Sequence, residues 1–164
     1  MNQPANATIR PATADDQAPI KAIIHEAGIN PRNLDWPNFL IAEDTTIKQI
    51  VGIGQVKPHS DGTRELASIA VIPDRQRQGI ARMVIEALLA RESGMLFLIC
   101  EHDNQGLYER FGFVPLQPPD MPRDLRKLWR MVRLAQPALR RIYSPDFELV
   151  VMRRDAPTQA ELRD

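Results

Sequence analysis

The segment Val71-Ile-Pro-Asp-Arg-Gln-Arg-Gln-Gly-Ile-Ala-Arg82 contains the point at which the hydrophobic period of the chain changes. Before Pro73 the apolar residues form a short run typical of a strand, and after Gly79 they recur at helical spacing as far as Leu88. The first turn of a helix has N–H groups without intrahelical partners and the positive end of the macrodipole. The segment therefore predicts a strand, a turn and a helix whose N-terminus can hold a phosphate. Nearby cationic side chains come from Arg75, Arg77 and Arg82.

On both sides of this junction, apolar stretches separated by turn-forming residues predict an α+β fold. The stretches before it predict a short strand at 8–10, a helix over 13–27 and an antiparallel meander of strands at 39–42, 50–56 and 66–72. Those after it predict strands at 95–100, 113–114 and 149–152, with a short helix at 106–110. The expected architecture is a mixed, mostly antiparallel sheet flanked by helices. Gly52 and Gly54, inside one strand, indicate a bulge or a close backbone approach.

Composition restricts the class of protein. The 164 residues carry 21 Lys+Arg and 21 Asp+Glu, and this balance argues against nucleic-acid binding through a general basic field. Cys100 is the only cysteine, so an internal disulfide and a cysteine zinc cluster are excluded. The sequence starts without a signal-peptide pattern and has no apolar run of bilayer length. We therefore expect a cytoplasmic protein with one domain over 1–154 and a flexible tail at 155–164.

An inserted segment, 118–145, precedes the last strand. After three prolines it shows an apolar stripe at helical spacing beside a basic face, and residues 123–141 hold seven Arg or Lys against one acid. This pattern predicts a basic amphipathic helix. One interpretation is a lid packed on the sheet with a solvated charged face, and it is the favoured one. The other is a membrane-surface element, although a membrane is not an expected partner.

Two motifs in order resemble those of a known enzyme family. The stretch 65–90 resembles the cofactor-binding region of the GNAT N-acetyltransferase superfamily, whose Gln/Arg-x-x-Gly-x-Gly/Ala motif corresponds to Gln76–Ala81. Leu107–Phe113 is similar to the family's Tyr-Glu-x-x-Gly-Phe element. The resemblance covers residues 7–117 and the last strand. It implies a GNAT-like acyl-CoA N-acyltransferase fold with acetyl-CoA as the donor and no metal.

The resemblance also implies how the cofactor is held. Backbone N–H groups of Gln76–Ala81 would surround the CoA diphosphate, and main-chain groups of Ile69 and Val71 would pair with the pantetheine arm like an added strand. The Val71 N–H would also face the thioester carbonyl. The implied cofactor-binding residues are Ile69, Val71, Gln76, Arg77, Gln78, Gly79, Ile80, Ala81 and Arg82.

Candidates for proton transfer come from the family resemblance and from the alternation of residues along a predicted strand. The resemblance makes Tyr108 the acid that protonates the departing thiolate, whereas packing against nearby phenylalanines is the structural alternative. Glu65 is the first candidate base, because period-two alternation places it on one face with Val71; a solvent-facing carboxylate is its alternative. Glu101 and His102 are second choices. Glu101 also stands where many relatives have asparagine, so a CoA contact by Asn104 is not expected.

These inferences lead to an acetyl-CoA-dependent N-acetyltransferase acting on a primary amine of a small molecule, such as an amino acid. Transfer is expected to be direct, within a ternary complex. The alternative is a non-catalytic acyl-CoA-binding regulatory module. Acceptor selection is expected from the 28–37 loop, the turn with His59 and Arg64, and the 118–145 insertion. Loop candidates are Arg32, Asp35 and Trp36. A homodimer is left open.

Overall fold

The fold is taken from a computed structural model of the chain, which describes residues 6–157. The expected flexible tail therefore lies outside the described residues from position 158 onward. Residues 6–157 form seven strands and four α-helices, and three of the strands follow one another between the first two helices. The strands are β1 (Ala7–Pro11), β2 (Phe39–Asp44), β3 (Ile50–Pro58), β4 (Arg64–Val71), β5 (Leu96–Glu101), β6 (Val114–Pro115) and β7 (Leu149–Arg154). The helices are α1 (Gln17–Glu26), α2 (Ile80–Ala90), α3 (Gln105–Glu109) and α4 (Arg123–Ile142).

One compact unit consists of the chain up to Lys57 together with Leu66–Glu92. In it β1 pairs antiparallel with β2, and β2 pairs antiparallel with β3. Gly28 has a φ of 66° and follows α1, which ends one residue before the predicted helix end at 27. The buried core residues of this unit on the side of α1 are Ala12, Ile20, Ile24, Leu34, Phe39, Ile41, Ile53 and Ala70.

The second unit consists of Pro58–Glu65 and the chain from Ser93 onward. Here the start of β4 pairs parallel with β5 at Glu65 and Phe97, and β5 and β6 both pair antiparallel with β7. The strand order is β1-β2-β3-β4-β5-β7-β6. The mixed, mostly antiparallel sheet with flanking helices is therefore confirmed. The single-domain assignment stays a prediction.

The backbone of β4 is irregular at its centre. Ser68 has a φ of 57°, in the left-handed region that serine rarely adopts, and its Oγ accepts a 2.8 Å hydrogen bond from Gln55 Nε2. The Gln55 amide also donates to the Asn33 carbonyl at 3.2 Å. Such a break interrupts the alternation of faces along a strand. The shared face proposed for Glu65 and Val71 therefore does not follow from period two alone.

The two glycines of β3 mark a close approach of α2 to the strand. A Cβ built on Gly52 would lie 2.6 Å from Ile80 Cγ2, and one built on Gly54 would lie 2.7 Å from Val84 Cγ1. Both distances are well below ordinary van der Waals contact. Both features expected of this glycine pair are therefore present: α2 approaches closely, and the pairing with β2 shifts register beside Gly52, because Ala42 pairs with Gly52 whereas Glu43 pairs with Ile50. The close approach lets the helix that begins after Gly79 pack directly against the strand.

Gly54→Ala is expected to destabilise the protein by about 1–3 kcal/mol, the usual cost of overpacking a well-filled core. The added methyl would overlap Val84 and the Ile69 Cδ1 atom, which lies 2.6 Å from the built Cβ. Gly94→Ala is the matched control, because a Cβ there meets nothing within 4 Å. Urea denaturation gives the free energy of unfolding for both variants. Equal effects of the two substitutions would contradict the close packing.

Helix α4 is anchored mainly through its first turns. Leu125 is fully buried and packs with Met121, Phe97 and Val151. Farther along, the side chains of Met131, Leu134 and Ile142 are exposed, Leu134 by 86%. The first turns therefore pack on the second unit's strands, and the choice between lid and membrane-surface element stays a prediction. Within residues 6–157, no helix combines the length and the apolarity that crossing a bilayer requires.

Candidate active site

The turn between β4 and α2 has the backbone geometry of an anion site. Arg77 has a φ of 59° and Gly79, the N-cap of α2, has a φ of 83°. Left-handed residues in such a turn direct successive N–H groups into one concavity. The N–H of Met83 donates to the Gly79 carbonyl at 3.0 Å, so the amides of residues 80–82 precede this first i→i−4 bond of the helix. A Cβ on Gly79 would meet nothing within 4 Å, which leaves space before the helix. These features fit a diphosphate.

Two glutamine side chains form hydrogen bonds to main-chain carbonyls of the same turn. Gln76 Nε2 donates to the Val71 carbonyl at 3.1 Å, and Gln78 Nε2 donates to the Asp74 carbonyl at 3.2 Å. These contacts fix the path of the chain between strand and helix. A contact of either residue with a cofactor would therefore use its backbone N–H, as the resemblance implied.

Two of the arginines near the turn form ion pairs with carboxylates. Arg75 forms a 2.5 Å ion pair with Asp44, which is buried at the end of β2. Hydrogen bonds from the backbone N–H groups of Ile47 and Thr46, and then the pair with Arg75, hold the pKa of Asp44 below its ordinary value. Arg75 thus joins the turn to β2. Arg82 is paired with Glu86 at 2.7 Å in an exposed contact, and pairs of this kind are weak.

Tyr108 lies on α3 with the properties of a proton donor. Its ring meets the Phe113 ring edge-on, with 6.3 Å between centroids, so the packing alternative describes part of its environment. Burial, and to a lesser extent the nearby Cys100, raise the pKa of Tyr108 to about 12. Within residues 6–157 its hydroxyl has no hydrogen-bond partner. The phenol is therefore protonated at neutral pH and available to a ligand.

The only cysteine is not suited to act as a nucleophile. Cys100 is buried in β5, where its Sγ lies 3.9 Å from Met152 Sδ. Burial raises the pKa of the thiol to about 11, and Glu101 adds to the shift. The thiolate is the reactive form of cysteine, and it is scarce at neutral pH under these conditions. This favours direct transfer over a covalent thiol intermediate.

Glu65 is buried, not solvent-facing. It is 4% exposed at the start of β4, and its Oε2 lies 2.5 Å from His59 Nε2. The second-choice bases Glu101 and His102 are both exposed, as is Asn104. Burial distinguishes Glu65 from these candidates, because carboxylates used as bases commonly lie away from bulk water.

The predicted site residues fall into two groups. Ile69, Val71 and Gln76–Arg82 form one continuous segment of the first unit, whereas Glu65 and Tyr108 belong to the second. Sequence reasoning missed the Asp44–Arg75 pair and the contact of His59 with Glu65. Among residues 6–157 there is no group of three or more potential ligands placed to hold a metal ion.

The comparisons with known proteins agree with this geometry. Residues 35–115, which include the turn, β5 and α3, match the family model of the GNAT acetyltransferase domain. The chain belongs to the GNAT superfamily. GNAT enzymes transfer acetyl groups from acetyl-CoA. A search of curated protein sequences finds no match.

Solved GNAT structures share the fold at low sequence identity. N-acetylglutamate synthase from Neisseria gonorrhoeae, complexed with coenzyme A and L-arginine, is 18% identical with a TM-score of 0.68; the match covers 94% of this chain and 34% of that one. This chain thus spans about a third of that synthase. Rv2747 from Mycobacterium tuberculosis, in complex with CoA and NLQ, is 17% identical with a TM-score of 0.69; the match covers 92% of this chain and 99% of that one. The ribosomal-protein-S18-alanine N-acetyltransferase from Escherichia coli is 20% identical with a TM-score of 0.61; the match covers 93% of this chain and 95% of that one.

Proposed function

We propose that this GNAT protein transfers the acetyl group of acetyl-CoA directly to a primary amine of a small molecule in a ternary complex. Glu65 removes a proton from the ammonium form of the acceptor, and the amine nitrogen attacks the thioester carbonyl. The Val71 N–H stabilises the oxyanion of the tetrahedral intermediate. When its C–S bond breaks, Tyr108 protonates the departing thiolate, and the proton that the nitrogen still carries passes to the resulting phenolate. The products are the acetylated amine and CoA.

The state of Tyr108 is the observation that carries this mechanism. A phenol with a pKa of about 12 and without a hydrogen-bond partner within residues 6–157 is a donor that no described group uses. The buried Glu65 supplies the opposite function, that of a proton acceptor. Two titratable groups whose environments suit opposite roles are typical of acid–base catalysis.

The order of the 28–37 loop supports a small acceptor. Leu34 is buried, and the Gln17 side chain donates to its carbonyl at 2.6 Å while accepting from the Trp36 N–H at 3.0 Å. The loop is thus fixed to α1. Arg32 remains exposed on it and suits an acceptor that carries a carboxylate, as an amino acid does.

Incubation of the protein with acetyl-CoA and a pool of amines, amino acids and peptides with free N-termini tests this function. We expect release of free CoA and an acetylated small molecule identified by mass spectrometry. Acetylation of the peptides alone would contradict the small-molecule acceptor. Binding of CoA, seen as thermal stabilisation, without turnover of any acceptor would instead indicate the regulatory module.

A further inference from the structure

The buried carboxylate of Glu65 contacts a histidine of the β3–β4 hairpin. His59 Nε2 lies 2.5 Å from Glu65 Oε2, and the side chains of the two residues are 14% and 6% exposed. A carboxylate oxygen accepts hydrogen bonds, so the contact assigns a proton to Nε2. This contact restricts rotation of the carboxylate plane. The direction in which Glu65 presents its oxygens therefore depends on where His59 is held.

The hairpin turn in turn fixes His59. The His59 N–H donates to the Thr63 carbonyl at 2.8 Å, and the His59 carbonyl accepts from the Gly62 N–H at 3.1 Å. Asp61 adds an acceptor within the turn, because its Oδ1 takes the Thr63 N–H at 3.0 Å. The main chain on both sides of His59 therefore forms a tight, hydrogen-bonded turn. This turn fixes the backbone position from which the imidazole extends.

The first turn of α4 forms hydrogen bonds with the same hairpin. The Asp124 N–H donates to Asp61 Oδ2 at 3.0 Å, and the Asp61 N–H donates to Asp124 Oδ2 at 3.2 Å. Ser60 Oγ also donates to Asp124 Oδ2, at 2.5 Å. The pKa of Asp61 is lowered to about 2, chiefly by the Thr63 hydroxyl, and the Ser60 hydroxyl lowers the pKa of Asp124. Both carboxylates are therefore ionised acceptors at neutral pH.

We propose that His59 is a positioning residue for the base Glu65, and that Asp124 of the inserted helix α4 fixes the position of the hairpin on which His59 lies. This inference rests on the proposed role of Glu65. Proton transfer runs from the acceptor ammonium to the Glu65 carboxylate, giving a neutral amine and a carboxylic acid, and His59 only fixes the accepting group. The insertion thus acts on the chemical step through three short contacts within one unit.

The test compares His59→Ala, His59→Phe and His59→Gln with His25→Ala, the same change at an exposed histidine on α1. We expect Ala and Phe to lower kcat about 10–100-fold with the KM for acetyl-CoA unchanged, because misplacement of a catalytic group acts on the chemical step. Gln can donate from Nε2 to the same oxygen and is expected to retain most of the activity. His25→Ala is expected to match the wild type. Phe keeps the ring volume, so a melting temperature near that of the wild type separates lost positioning from unfolding.

A wild-type kcat for the Phe or Ala variant, or a Gln variant no better than Phe, would overturn the positioning role. Asp124→Ala is expected to lower kcat less than His59→Ala, whereas Asp146→Ala beyond the far end of α4 is expected to have no effect. Equal activity of both aspartate variants would overturn the part assigned to α4. Glu65→Gln separates a failure of the base assignment from a failure of the positioning role. Wild-type activity of Glu65→Gln would refute Glu65 as the base. An inactive Glu65→Gln variant together with a fully active His59→Phe variant would refute only the positioning role of His59.

Discussion

Tyr108→Phe is expected to lower kcat by about 100-fold or more, the usual contribution of a positioned acid, and to leave the KM for acetyl-CoA nearly unchanged. The substitution removes only the hydroxyl, so the edge-on contact of the ring with Phe113 remains. Without the donor, sulfur leaves as an unprotonated thiolate. Steady-state release of free CoA with the identified amine gives both kinetic constants.

A weak acid can still assist this step. A free thiol has a pKa of about 8.5, so a phenol with a pKa of about 12 would transfer its proton uphill in water. A hydrogen bond from the phenol nevertheless strengthens as negative charge develops on sulfur, so the donor stabilises the departing thiolate before the proton is transferred.

The pH dependence of kcat tests the same assignment. Because the folded pKa of Tyr108 is raised, the phenol stays protonated below about pH 11, and its ionisation gives no alkaline loss of activity in that range. Tyr143→Phe is the matched control, since Tyr143 is 61% exposed and stacks on Phe147. An unchanged kcat for Tyr108→Phe across the pH range would show that Tyr108 is not the donor. So would an equal loss for Tyr143→Phe.

Local periodicity was sufficient to predict the elements of the fold. The strand that ends before Pro73, the helix after Gly79 and the basic helix near 123 all occur at their predicted places. Each is specified by residues adjacent in sequence, through apolar spacing, a glycine or a proline. Patterns of this kind carry most of the information on secondary structure.

The contacts that shape the candidate site could not be predicted in the same way. Ser68 adopts a left-handed conformation that no pattern in its strand indicates, and Gln55, thirteen residues away, bonds to it. Asp44 pairs with Arg75 across 31 positions of sequence, and no local pattern indicates this contact. Long-range polar pairs depend on tertiary packing, for which a single sequence gives no periodic signal. The direction of Glu65 is unpredictable for the same reason.

The exposed half of α4 shows a related limit. The sequence shows an apolar stripe as far as Leu139, and a stripe of this kind is normally buried. In the structure Leu125 is buried, whereas Leu134 and Ile142 lie on the surface. Hydrophobic spacing identifies a face that can be buried. It does not determine how far along the helix other parts of the chain cover that face.

Gly79→Asp is expected to weaken binding of CoA by about 100-fold or more. Two effects add at this N-cap. An aspartate there must adopt a φ of 83°, which strains the turn by about 1–2 kcal/mol, and its carboxylate competes with a phosphate for the same amides. Each lost hydrogen bond to a charged group is worth about 1.5–3 kcal/mol. Calorimetric titration with CoA measures the change directly and needs no acceptor.

Gly28→Asp is the matched control for this change. Gly28 has a φ of 66°, and a Cβ there meets nothing within 4 Å, so the same substitution carries a similar backbone strain. Gly28 lies after α1, at a helix C-terminus where no anion is expected. We expect CoA to bind this variant as it binds the wild type. Equal weakening in both variants would indicate general destabilisation, and unchanged binding by Gly79→Asp would show that the diphosphate lies elsewhere, because a carboxylate at this N-cap cannot share its amides with a second anion.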